Sequence, residues 1–162
     1  MTDRSCPAPP CPVAPPAVLA AAGRLVLRVD REWARCYDGT WGYDEPNPGV
    51  GETRFAPFTD RGGQAVSTMY VAENDVGALL ETVFHDVEPG YGAIYEDTLR
   101  GQLLTYVASP RELRLVDFRD PSLAALGVNR SAISASGTEH CSCTRAIAQH
   151  VYEADPHVHG LI

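Results

Sequence analysis

The chain has 162 residues, 44% of them apolar and 21% charged, which fits a globular protein with a sizeable core and excludes general disorder. A formal net charge of −8 argues against a nucleic-acid or anionic-membrane binder, since phosphate surfaces repel such a protein, but it leaves room for a local basic pocket. The five cysteines (Cys6, Cys11, Cys36, Cys141 and Cys143) are odd in number and unevenly placed, which excludes a disulfide framework and points to a reducing, cytoplasmic setting.

Residues 1–22 carry prolines at 7, 9, 10, 12, 15 and 16 among alanines and read as a disordered leader ahead of a domain spanning 23–162. The run Val18 to Ala22 is too short and too poorly flanked by positive charge for an export signal. No apolar run approaches the roughly 18 to 20 residues of a membrane span. Without export, Asn129-Arg130-Ser131 is a chance glycosylation triplet.

Leu25 to Val29 is a β-branched and apolar run that predicts a strand, with a turn near Asp30. Arg24, Arg28, Arg31 and Arg35 recur at helical spacing and offer a competing helical reading. The glycines and prolines of residues 36–66 predict a long irregular excursion, of the kind that carries function in compact domains. Gly49-Val50-Gly51 within it lacks the third glycine and the strand-to-helix setting of a dinucleotide fingerprint. Residues 67–72 predict a second strand, with Met69 and Val71 on one face and Tyr70 on the other. Asn74 is a good N-cap for a helix running to about Asp86, with Val76, Leu79, Leu80, Val83, Phe84 and Val87 as its apolar stripe. Glu81 falls beside that stripe, at the core boundary, and His85 lies one turn further on.

Two more strands are predicted over 103–107 and 113–118, short helical turns over 121–126 and 129–135, and a last helix over 144–153 with Ile147 and Val151 on its inner face. The fold class is therefore α/β of the mixed α+β kind, a small mixed sheet with flanking helices and no repeats. His140, Cys141, Cys143, His157 and His159 have spacings that match no standard zinc pattern, so no metal is expected from them.

Thr53-Arg54-Phe55-Ala56-Pro57, Thr68-Met69-Tyr70-Val71-Ala72-Glu73 and Ala78 to Val87, with its run Glu-Thr-Val-Phe-His-Asp-Val, together resemble the RES domain family, named for an arginine, a glutamate and a serine. The resemblance runs more loosely from Leu25 to Ile162. It implies a fold similar to ADP-ribosyltransferases and an activity that depletes NAD by hydrolysis or phosphorolysis. It also implies the role of a toxin neutralised by a helical DNA-binding antitoxin, with which the chain would form an oligomer. NAD would be the substrate, inorganic phosphate a possible co-substrate, and no cofactor or metal is implied.

Matched position by position, the family's arginines fall on Arg28 and Arg54, its tyrosine on Tyr70 and its glutamate on Glu81. The serine falls on Ser142, ahead of Thr144-Arg145-Ala146, where it also reads as the N-cap of the last helix. In related members a Ser-Arg pair follows a later strand, whose start Gly160-Leu161-Ile162 resembles.

The chemistry explains the residue types. Cleaving the nicotinamide–ribose bond passes through an oxocarbenium-like state, as in glycoside hydrolysis. Arginine forks suit the diphosphate, which is the role implied for Arg28 and Arg54. A carboxylate at Glu81 suits the ribose hydroxyls and the developing positive charge. Tyr70 offers an aromatic face, and Ser142 a hydroxyl for a phosphate oxygen or the attacking group. Transfer of ADP-ribose to a protein, and an inactive RES-like interaction domain, are the alternatives on the same scaffold.

Overall fold

In chain order, strands β1 (Val26–Val29) and β2 (Glu32–Asp38) are followed by helices α1 (Asp75–Thr82) and α2 (Glu96–Leu99) and strands β3 (Gln102–Ala108) and β4 (Leu113–Val116). Helices α3 (Asp120–Ala125), α4 (Arg130–Ser134) and α5 (Cys141–Ala154) and strand β5 (Gly160–Leu161) complete the order. The computed structural model describes residues 6–8, 10–13, 26–84 and 92–162, with 26–29 described by their backbone alone. The protein is a mixed α+β fold with small sheets and flanking helices. It divides into two compact units, one of Met1–Val29, Pro48–Thr68 and Glu112–Ile162, the other of Asp30–Asn47 and Met69–Arg111.

The first unit is built on a three-stranded sheet in the order β1-β4-β5. Strand β1 runs antiparallel to β4, with Val26 opposite Val116 and Val29 opposite Leu113, and β5 runs parallel to β4. Its core gathers Val116, Phe118, Leu123, Ile133, Ile147 and Val151 around Val13, which comes from within the Pro/Ala-rich leader. Helix α5 faces this core with Thr144, Ile147, Ala148 and Val151, the i, i+3, i+4, i+7 pattern of a half-buried helix. Pro121 opens α3, where its missing N–H costs nothing. Gly127 just beyond that helix has φ +70, a left-handed conformation that glycine adopts without strain. Asn129 caps α4 by accepting from Ser131 N at 3.0 Å.

The second unit is organised by β2 and β3, paired antiparallel from Glu32 opposite Ala108 to Asp38 opposite Gln102. Ala34 and Cys36 of β2 pack against Ala78 and Val83 to form its core. Arg35 is also buried, and its guanidinium donates to the carbonyls of Gly42 (3.2 Å), Tyr43 (2.5 Å) and Glu45 (2.7 Å), which fixes the turn after β2. Arg31 pairs with Glu73 at 3.1 Å and lies over the Trp33 ring. These placements exclude the helical reading of the arginine series, because residues 32–38 are extended.

Four expectations are corrected. One small sheet was expected, whereas β2 and β3 form a second sheet of their own. The strand expected over 67–72 reduces, in this unit, to a single bridge in which Ala34 and Ala72 exchange backbone hydrogen bonds of 2.9 and 2.8 Å. Asn74 then caps α1, accepting from Gly77 N at 2.9 Å, so the chain turns helical two residues after the bridge. The apolar stripe of α1 also has a different phase: Ala78 and Val83 are buried, while Val76 and Leu80 are 65% and 56% exposed. Ser142, finally, is not the cap of α5. The 3-10 turn Thr138–His140 feeds straight into the helix, so His140 takes the cap position and Ser142 lies inside the first turn. His85 and Val87 lie outside the described residues.

Candidate functional site

In the second unit, β2, the bridge segment and α1 bring Tyr70 and Glu81 to one shallow pocket with Cys36, Val71, Ala78 and Thr82. Its volume is about 10 Å³, room for a water molecule and no more. Thr82 Oγ1 donates to the Cys36 carbonyl at 3.3 Å, pinning the helix beside the strand. Glu81 is exposed, where partial burial at the core boundary was the expectation, while Tyr70 is half-buried. Burial pushes the Cys36 thiol up, so that side chain behaves as a small apolar group.

In the first unit, Arg54 is anchored to the helical segment before α5. Its Nη1 donates to the carbonyls of Ile133 (3.2 Å) and Ser136 (2.8 Å) and to Ser136 Oγ (2.9 Å). Its own carbonyl accepts from Thr144 Oγ1, a side chain with no exposed surface. The hydrogen bonds described for its guanidinium all use Nη1. Ser142 sits two residues before Thr144, in the first turn of α5. Arg28 lies on β1 opposite Arg114, its side chain outside the described atoms.

The same unit holds a larger cleft of about 300 Å³, the lower end of the range for small-molecule sites. Phe58, Glu52 and Thr59 line one side and Arg145 and Gln149 of α5 the other. Phe58 is held edge-on to Tyr152 at 5.7 Å. Arg145 Nη1 is buried and has no hydrogen-bond partner among the described residues, which costs about 1–3 kcal/mol or more for a charged donor. A cation kept in that state beside a cleft favours an anionic or carbonyl-bearing ligand. In the sequence Arg145 stands out only within the tripeptide Thr144-Arg145-Ala146; its cleft depends on residues 51–59, which no local spacing connects to α5.

A second gathering was also hidden in the sequence. Cys6, Cys11, His140 and Cys143 offer one donor atom each, all within 4.8 Å of one another. Cys6 Sγ lies 3.3 Å and Cys11 Sγ 3.9 Å from His140 Nδ1, and Cys11 Sγ lies 3.6 Å from Cys143 Sγ. Burial acts on Cys6 to raise its pKa, but hydrogen bonds with Ala8, Cys11, His140 and Cys143 outweigh it and lower the thiol to about 7. Burial, together with Cys11 and Cys6, pushes Cys143 up to about 12. Of the other residues weighed as ligands, Cys141 and His157 stand apart from this set, and His159 Nδ1 accepts from Arg114 N at 2.9 Å.

Among the described residues no helix is long and apolar enough to cross a membrane. The family model of the RES domain matches residues 25–162, a span that includes Arg28, Arg54, Tyr70, Glu81 and Ser142. No curated protein and no solved structure matches the chain at a significant level.

Proposed function

Because the chain belongs to the RES domain family, which is associated with NAD-related toxin function, we propose that it destroys NAD by breaking the nicotinamide–ribose bond. The observation that carries this reading is the family match across residues 25–162. Two features of the geometry support it. Tyr70 and Glu81 meet at one pocket, and an arginine with a buried, unpartnered nitrogen lines a cleft of ligand size.

In this reading the ribose lies over the Tyr70–Glu81 pocket, which is too small to contain a ring. The Glu81 carboxylate holds the ribose hydroxyls and offsets positive charge at C1′ in the transition state. Water or inorganic phosphate attacks C1′; the C1′–N bond breaks, its electron pair passes to the nicotinamide ring, and neutral nicotinamide leaves. The attacking group gives up its proton to solvent. By the family resemblance alone, Arg28 and Arg54 are assigned to phosphate oxygens, and Ser142 to a phosphate oxygen or the attacking group. A cytoplasmic toxin of this type is held in check by a helical DNA-binding antitoxin, in a joint oligomer.

The test follows free nicotinamide released from NAD, with and without inorganic phosphate. Glu81 is exposed, so Glu81→Ala leaves the melting temperature nearly unchanged. It should lower nicotinamide release by about 100-fold or more. Dependence on phosphate identifies phosphorolysis. Release that persists unaltered in the variant, or label from NAD appearing on a protein, overturns the assignment.

A further inference from the structure

The cysteines and histidine gathered at the start of α5 have the chemistry of a closed metal site. Three sulfurs and one imidazole nitrogen form a ligand set typical of structural zinc. In a tetrahedral centre with bonds of about 2.3 Å to sulfur and 2.0 Å to nitrogen, the sulfurs stand about 3.8 Å apart and sulfur and nitrogen about 3.5 Å apart. The three separations of 3.3, 3.6 and 3.9 Å fall around those values. We propose that Cys6, Cys11, His140 and Cys143 bind one zinc ion, which ties the N-terminal segment to the first turn of α5.

Three further observations bear on the proposal. His140 is buried and turns Nδ1 toward the sulfurs, while its other ring nitrogen lies 3.5 Å from a Glu139 carboxylate oxygen. Metal-binding histidines are usually oriented by such a carboxylate, which fixes the tautomer that leaves the coordinating nitrogen free. Val13, two residues after Cys11, is buried in the core, so the segment carrying the two leader cysteines is anchored independently of any ion. Cys143 lies in the first turn of the fourteen-residue α5, three residues after His140 at its cap, so one helix start places both of these ligands.

Four protein donors leave no open position, so the ion is structural and takes no part in the NAD chemistry. On binding, the cysteines give up their thiol protons to solvent and the histidine coordinates as the neutral ring. The consequence is mechanical: α5, which carries Ser142 and Arg145, is held at its start by the leader.

The experiment uses the full chain, expressed and purified without chelator, with zinc measured by mass spectrometry and Co²⁺ as a spectroscopic probe. The expected result is one zinc per chain, and a cobalt form with thiolate charge-transfer absorption and the intense visible bands of a tetrahedral centre. Cys11→Ser and Cys143→Ser should lose the bound zinc, and Glu139→Gln should weaken it by about tenfold. Cys36→Ser and Cys141→Ser, which change thiols outside the set, should keep it. Should Cys143→Ser fail to fold, Cys6→Ser and Cys11→Ser, which alter no helix or strand, decide the matter. The proposal is overturned by a metal-free chain that gives no tetrahedral cobalt spectrum. It is equally overturned by leader variants that bind as wild type, or by a Cys11–Cys143 disulfide in protein purified under reducing conditions. None of these readouts depends on NAD cleavage, so the two assignments stand or fall separately.

Discussion

Asp117 is buried at the end of β4, and its carboxylate accepts from Arg119 N (3.0 Å), Arg119 Nε (2.8 Å), Arg119 Nη2 (3.0 Å) and Ser122 Oγ (2.9 Å). The Arg119 side chain, above all, lowers the Asp117 pKa to about 2, with burial opposing and Ser122 assisting. A carboxylate that is more acidic folded than unfolded stabilises the fold above its ordinary pKa, near 3.9, and that contribution fades as pH falls toward about 2. Asp117→Asn should therefore lower the urea midpoint at pH 7 by an amount worth about 1–3 kcal/mol. The gap to wild type should narrow between pH 4 and about pH 2. A gap that widens on acidification would refute the assignment. At this scale Tyr70 and Glu81, eleven positions apart within one compact motif, line the same small pocket. The Cys6–His140 contact spans 134 residues, and no spacing rule reaches across such a gap. Residue type alone makes Ser142 a cap, while the cap is fixed by the backbone of the preceding 3-10 turn.

For the elements, β1, α1, β3, β4 and the helices after β4 were legible, whereas β2, α2 and the phase of α1 were not, and the strand expected over 67–72 is a bridge. Hydrophobic periodicity weighs large side chains, and α1 presents two overlapping series of them, Val76-Leu80-Phe84 and Leu79-Val83. Packing against β2 selects the second, because the helix approaches through its smallest residues. A Cβ added at Gly77 would stand 3.0 Å from the Ala72 Cβ, and Ala78 is 3% exposed. Close approach of this kind turns Val76 and Leu80 outward, a result that large-residue patterning cannot anticipate. Two truncations separate the alternatives. Val83→Ala removes buried methyl groups and should cost about 1–3 kcal/mol, whereas Leu80→Ala removes more carbon from an exposed site and should change stability by about 0.5 kcal/mol or less. Chemical denaturation of the two variants decides the phase, and a larger loss at Leu80 would restore the stripe expected from periodicity.

Across the whole molecule, the two units differ in what their own cores contain. The first unit buries Leu123, Ile133, Ile147 and Val116 almost completely. Among the described residues the second gathers Ala34, Cys36, Ala78 and Val83 in its buried cluster, with Trp33 buried outside that cluster, and Leu103, Leu104 and Tyr106 of β3 are 49%, 43% and 57% exposed. Each buried methylene contributes about 0.8 kcal/mol, so a cluster of two alanines, a cysteine and a valine holds its elements less firmly than one of leucine and isoleucine. Composition could not foretell this division, because the apolar fraction counts residues without saying which are small and which end up outside. Backbone amides open with the stability of the unit that contains them. In hydrogen exchange at neutral pH, the amides of β3 should therefore exchange faster than those of β4 and of Ile147 to Val151 in α5. The β2–β3 ladder is complete over seven residue pairs, so slow exchange there would have to come from packing and not from hydrogen bonding alone. Protection in β3 equal to that of α5 would show that the second unit draws its stability from something other than its own small core.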